Sequence, residues 1–82
     1  MKKLSFAEEN YLKAVYHLSN AGELDVTTNS IAEEMDTKAA SVSDMLRRLS
    51  EKEMVVYRKY QGVKISEVGK TAALQVIRKH RL

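Results

Sequence analysis

Residues 29–52 constrain the fold more than any other stretch. Ile31, Ala32 and Met35 are apolar at helical spacing, and so are Val42, Met45, Leu46 and Leu49. Between the two sets stands Asp36-Thr37-Lys38, room for a turn and nothing longer. Thr28 and Thr37 are placed to offer N-cap hydroxyls to the free N–H groups at the start of each helix. Ala32 is small enough to let the two helices cross closely. Two short amphipathic helices joined this way predict a helix-turn-helix.

The second of these helices, over about 38–50, has an informative outer face. With Val42, Met45, Leu46 and Leu49 turned inward, Ala40, Asp44 and Arg47 point outward, flanked by Ser41, Ser43 and Arg48. Its first turn, Lys38-Ala39-Ala40-Ser41, is small and polar, so the floor of a groove could approach it closely. Small side chains, hydroxyls and guanidinium groups suit base edges and phosphates. The alternative is an ordinary solvated helix face.

Composition narrows the field. A chain of 82 residues makes one domain, and a domain of that size buries only about 60% of its unfolded surface. Its formal net charge of +3 suits a polyanionic partner without requiring one. There is no cysteine, hence no disulfide framework and no thiolate site. Glu8, Glu9 and Asn10 interrupt any signal-like apolar region after the basic start, and no apolar run approaches a membrane span. The chain reads as soluble and cytoplasmic, with no membrane partner. It has no glycine-rich phosphate loop and no HExxH-type cluster, so an enzyme is not expected.

The rest of the chain supplies supporting elements. Ser5-Phe6-Ala7-Glu8 is a capping box, so the first helix should begin at Phe6. Its inner stripe is Tyr11, Leu12, Val15 and Leu18, with Tyr16 at the margin. Asn10, Lys13, Ala14 and His17 fall on the other side, where His17 reads as a surface histidine. Gly22 should stop this helix, and residues 24–27 could add a short strand.

After residue 53 the period changes. Residues 54–59 are rich in β-formers, Val63-Lys64-Ile65 alternates, and Tyr60-Gln61-Gly62 lies between, with Gly62 free to take positive φ. This predicts a hairpin over about 54–65 carrying Arg58, Lys59, Gln61 and Lys64. The alternatives are a solvated β-turn and, favoured beside a helix-turn-helix, a basic wing for the phosphate backbone. Ser66 should cap a last helix running to the end of the chain, with Gly69, Ala73, Val76, Ile77 and His80 on one face and Leu74 widening it. From spacing alone, His80 is either a buried, hydrogen-bonded imidazole, the favoured reading, or a metal ligand. Helix, helix-turn-helix, hairpin, helix is mostly α with a small β-hairpin: a winged helix.

In that order the chain resembles the N-terminal DNA-binding domain of the diphtheria-toxin-repressor family, iron- and manganese-dependent transcriptional repressors. The matching residues are Glu8-Glu9-Asn10-Tyr11-Leu12 with Val15-Tyr16, Ser30-Ile31-Ala32-Glu33, Ser41-Val42-Ser43, and Lys59-Tyr60-Gln61-Gly62-Val63 with Ile65-Ser66 and Gly69. Arg78-Lys79-His80-Arg81-Leu82 matches the opening of the family's linking helix. The resemblance implies a sequence-specific repressor that binds double-stranded DNA at a palindromic operator as a homodimer. Fe2+ or Mn2+ would bind between the first helix, the linking helix and a following dimerisation domain. By position, Thr37, Lys38, Ala39, Ala40, Ser41, Ser43 and Asp44 would lie at the major groove, with Ser41 and Ser43 near phosphates. Arg47, Arg48, Arg58, Lys59 and Gln61 would meet the backbone, and His80 and Asn10 would stand at metal-ligand positions.

Two departures qualify the metal. Asn10 stands where the family has a methionine or aspartate ligand, and a neutral amide is a weak donor. Lys13 stands where manganese-selective members place a glutamate. The expected domain is 1–82, with 67–82 opening the helix toward a dimerisation and metal-binding domain absent from this chain. It should therefore bind no metal tightly alone. The rival functions are a metal-independent winged-helix regulator and a winged helix used for protein–protein contact, which would expose an apolar patch.

Overall fold

Ser5 starts the first helix through a reciprocal pair of bonds. The Glu8 N–H donates to Ser5 Oγ at 3.1 Å and the Ser5 N–H donates to Glu8 Oε1 at 2.8 Å. The computed structural model describes residues 3–58 and 62–80. Its elements are α1 (Phe6–Leu18), α2 (Thr28–Met35), α3 (Ala39–Glu51), β1 (Val55–Arg58), β2 (Gly62–Ile65) and α4 (Glu67–His80). This is the winged helix that the element order predicts.

Several boundaries fall elsewhere than expected, each for a local reason. α1 stops at Ser19, not at Gly22. The buried Ser19 hydroxyl donates to the Tyr16 carbonyl and accepts from the Gly22 N–H, both at 2.9 Å, so the helix end is satisfied before the glycine arrives. Asn20, Ala21 and Gly22 then all take positive φ, and Gly22 completes the reversal. α2 is capped by Thr27, whose Oγ1 accepts from the Ser30 N–H at 3.0 Å, and Thr28 is already helical. Asp36 closes α2 in the left-handed region, which aspartate tolerates better than most residues. The Thr37 N–H is then used on the Ala32 carbonyl at 3.0 Å. Thr37 therefore belongs to the turn, and the N-cap of α3 is Lys38, which makes no side-chain cap bond.

The hairpin is antiparallel, with Val55 opposite Ile65, Val56 opposite Lys64, Tyr57 opposite Val63 and Arg58 opposite Gly62. Met54 is not part of it. Its side chain is fully buried and its carbonyl accepts from the Ser66 N–H at 3.0 Å. The expected strand at 24–27 is a single antiparallel bridge, Val26 with Val63, closed by two N–H to carbonyl bonds of 2.8 Å. Gly62 has φ +99°, and a Cβ there would lie 2.7 Å from the Val26 carbonyl oxygen, so this position takes glycine on both counts. The expected turn residues Lys59, Tyr60 and Gln61 lie outside the described residues.

Every element feeds one core. Leu12 and Val15 of α1, Ile31 of α2, and Val42, Leu46 and Leu49 of α3 meet Val55, Val63 and Ile65 of the hairpin and Ala72 and Ala73 of α4. Tyr11, Tyr16, Leu18, Ala32, Met35 and Met45 pack around it, half-buried. Periodicity misplaced Ala14, which is buried where α1 forms a cleft with α2 and α4. Leu74 widens the exposed surface rather than the buried stripe, and Ala72 takes the inner place.

Among the described residues, Glu8 is the charged residue that is buried. Lys52 Nζ donates to Glu8 Oε1 at 2.6 Å and to the Lys3 carbonyl at 2.9 Å, tying the end of α3 to the start of α1. Burial pushes the carboxyl up, but the Lys52 ammonium and the Ser5 hydrogen bonds outweigh it and hold Glu8 below 4.5. A carboxyl lowered on folding stabilises the fold above its unfolded pKa, and that contribution is lost as pH falls from about 4.5 through the folded value. Glu8→Gln should thus cost about 1–3 kcal/mol at neutral pH. The gap to the unmodified chain should shrink in urea unfolding at pH 3; a gap unchanged between pH 7 and pH 3 would show that the Glu8 charge stabilises nothing.

Candidate nucleic-acid interface

The orientation of α3 is set by its three fully buried anchors, Val42, Leu46 and Leu49. A helix turns about 100° per residue, so these anchors force Ala40, Asp44 and Arg47 to the opposite side. Lys38, Ala39, Ala40, Ser41, Asp44, Arg47 and Arg48 are all exposed, while Thr37 and Ser43 are half-buried at the edges. Arg47 Nη1 lies 3.9 Å from Asp44 Oδ1, a loose pair between well-solvated side chains. The face thus offers methyl groups, hydroxyls and cations, with one carboxylate at its centre.

The hairpin follows directly on α3 and packs against it. Arg58 ends β1 and Lys64 stands opposite Val56, and both cations are exposed. Lys59 and Gln61, the other expected wing contacts, lie outside the described residues. Large exposed apolar side chains occur at Phe6, Leu24, Val56, Val68 and Leu74; none of them belongs to α3.

The metal-ligand positions are a different matter. Asn10 and Lys13 line one cleft between α1, α2 and α4, together with His17 and Glu34, and no residue of α3 or the hairpin lines it. The neighbouring carboxylate is already engaged: Lys79 Nζ donates to Glu9 Oε1 at 3.0 Å and to Oε2 at 2.8 Å. The side chain of His80 lies outside the described residues. Among the described residues no group of three His, Cys, Asp or Glu could hold a metal ion. A neutral amide, a nearby ammonium and a carboxylate paired to lysine do not fit a first-row divalent cation.

Two tertiary ties were not legible in the sequence. Glu8 is named by the capping box, but its pairing with Lys52 joins residues 44 apart. The Glu9–Lys79 tie spans 70 residues, and no local pattern announces it.

The chain is similar to known proteins in sequence and in fold. The family model for the iron dependent repressor, N-terminal DNA binding domain, matches residues 3–63. The diphtheria toxin repressor of Corynebacterium jeikeium (strain K411) is 33% identical over 82 residues, covering 100% of this chain and 34% of the relative. This chain thus spans about a third of the length of that curated relative. The structure of the manganese regulator SloR superposes with a TM-score of 0.73 at 34% identity, over 90% of this chain and 34% of that one. MepR of S. aureus, solved as a DNA complex, shares the fold at a TM-score of 0.74 and 17% identity, over 95% of this chain and 58% of that one. Matched from Lys3 to Val63, with the helix-turn-helix and hairpin in place, the chain belongs to the iron-dependent repressor family and is its N-terminal, winged-helix DNA-binding domain.

Proposed function

We propose that this domain reads duplex DNA through α3 in the major groove, with the hairpin on the adjacent backbone, as the reading head of a metal-dependent transcriptional repressor. The observation that carries it is the exposed face of α3. Fully buried Val42, Leu46 and Leu49 hold it rigidly, while Lys38, Ala39, Ala40, Ser41, Ser43 and Asp44 line the side that enters the groove. Arg47 and Arg48 flank that side as phosphate contacts, and Thr37 sits in the turn before it. Arg58 meets the neighbouring backbone, the role that the family resemblance gives also to Lys59 and Gln61. Small Ala39 and Ala40 permit close approach to base edges, which a bulkier first turn would prevent.

The relatives extend the proposal to a longer protein. The manganese regulator SloR and the corynebacterial repressor are both about three times the length of the part they share with this chain. In such a protein α4 leads toward a second domain. That domain joins two copies into a homodimer on a palindromic operator and supplies further donors for iron or manganese. Such a repressor works in the cytoplasm, and among the described residues no helix is long and apolar enough to cross a membrane.

The test is the salt dependence of binding. Four or five phosphate contacts give a slope of log affinity against log salt between about −3 and −5. Fluorescence anisotropy with a labelled duplex, titrated with the 82-residue chain at several salt concentrations, should return that slope. Affinity independent of salt would contradict the DNA-binding surface.

A further inference from the structure

The centre of the exposed face of α3 carries a negative charge. Taken at about 100° per residue, Asp44 stands about 190° around the helix from the mean direction of Val42, Leu46 and Leu49. It therefore points almost directly away from the core, as Glu51 does in the last turn of α3, and it stands mid-helix, with Ala40 one turn before it and Arg47 one turn after. A carboxylate has only acceptors and cannot serve a phosphate. On a face that meets a polyanion it is repelled unless a donor receives it.

The major groove offers few such donors. Guanine presents N7 and O6, and thymine presents O4, all acceptors; only cytosine N4 and adenine N6 carry amino groups there. Adenine places the acceptor N7 beside its amino group, where it opposes the second oxygen of a carboxylate. Cytosine has no acceptor in that place. Arg47, 3.9 Å from Asp44, offsets part of the charge that the carboxylate brings into the groove. Asp44 is well exposed and makes no contact that anchors the fold beyond this loose pair.

We infer that Asp44 is a specificity-determining residue whose carboxylate accepts from the N4 amino group of a cytosine, fixing a C·G pair at one position of the bound DNA. The inference rests on the proposal that α3 enters the major groove. It adds that an acid in the middle of a cationic surface lowers affinity for DNA at large and returns it at one base pair.

Selection from a duplex library of randomised sequence tests this, using the chain as it is, Asp44→Asn and Asp44→Ala. The unmodified chain should enrich one C·G pair, with other bases at that position binding about 5- to 150-fold more weakly. Asparagine can pair bidentately with adenine N6 and N7, so Asp44→Asn should move the preference to A·T at the same position. Asp44→Ala should lose the preference there and bind unselected duplex at least as tightly as the unmodified chain. Melting curves for both variants should match the original, since the side chain is exposed. If the Ala variant enriches the same base at every position, or the unmodified chain binds duplex with no base preference, the inference is overturned while DNA binding stands. If the unmodified chain binds no duplex at all, the groove proposal fails and the inference with it.

Discussion

Gly69→Ala is expected to remove most of the domain's stability. In an ordinary helix this change stabilises by about 0.5–1 kcal/mol. Here a Cβ would lie 1.9 Å from the Met54 carbonyl oxygen and 2.9 Å from Ile65 Cγ1. The carbonyl is backbone and cannot swing aside. It also accepts from the Ser66 N–H at 3.0 Å, the contact that docks the start of α4 onto the end of the loop before β1. Ser66 Oγ holds the same junction by capping Gly69 N–H at 2.9 Å. Relief therefore requires α4 to move as a unit. Overpacking typically costs about 1–3 kcal/mol, and this case should reach or pass the upper end. For a domain of this size that lowers the melting temperature by more than about 10 °C. Thermal unfolding followed by circular dichroism measures it. A variant as stable as the original would mean that α4 does not pack on Met54 this closely.

Ala40→Glu should leave the fold alone and weaken DNA binding severely. Ala40 is exposed in the first turn of α3, where glutamate is a good helix former and sits favourably near the positive end of the helix dipole. Exposed substitutions of this kind usually change stability by less than about 0.5 kcal/mol. In the groove, however, the new carboxylate meets a polyanion at a position chosen for smallness. Like-charge juxtaposition in an interface costs several kcal/mol, so affinity should fall by at least about 30-fold. Anisotropy at low salt, beside a melting curve, separates the two effects. Unchanged affinity would mean that another element reads the DNA.

The sequence carried the helices and the inner face of α3 almost completely. Val42, Leu46 and Leu49 are spaced so that only one rotation buries them, and the exposed residues follow from that rotation. Caps were less legible because neighbouring threonines compete. Thr27 wins over Thr28 since the Val26–Val63 bridge already holds the chain extended there, leaving Thr27 at ψ 153°. Thr37 loses to Lys38 because its N–H closes α2. Spacing alone puts Gly69 on the inner face of α4, but only the tertiary structure puts the Met54 carbonyl against it. Asn10 and Lys13 could be weighed as donors from residue type alone. That Glu9 beside them is held by Lys79 is a consequence of how α4 crosses α1, which no local pattern records.

Amide chemical-shift mapping of the labelled chain during titration with a short duplex would locate the contact surface directly. The shifts should concentrate in Ala39–Glu51, in the turn before it, and in the hairpin strands Val55–Arg58 and Gly62–Ile65. Asn10, Lys13 and His17, lining the separate cleft between α1, α2 and α4, should stay in place. Shifts centred on that cleft, with α3 unmoved, would contradict recognition through the exposed face of α3.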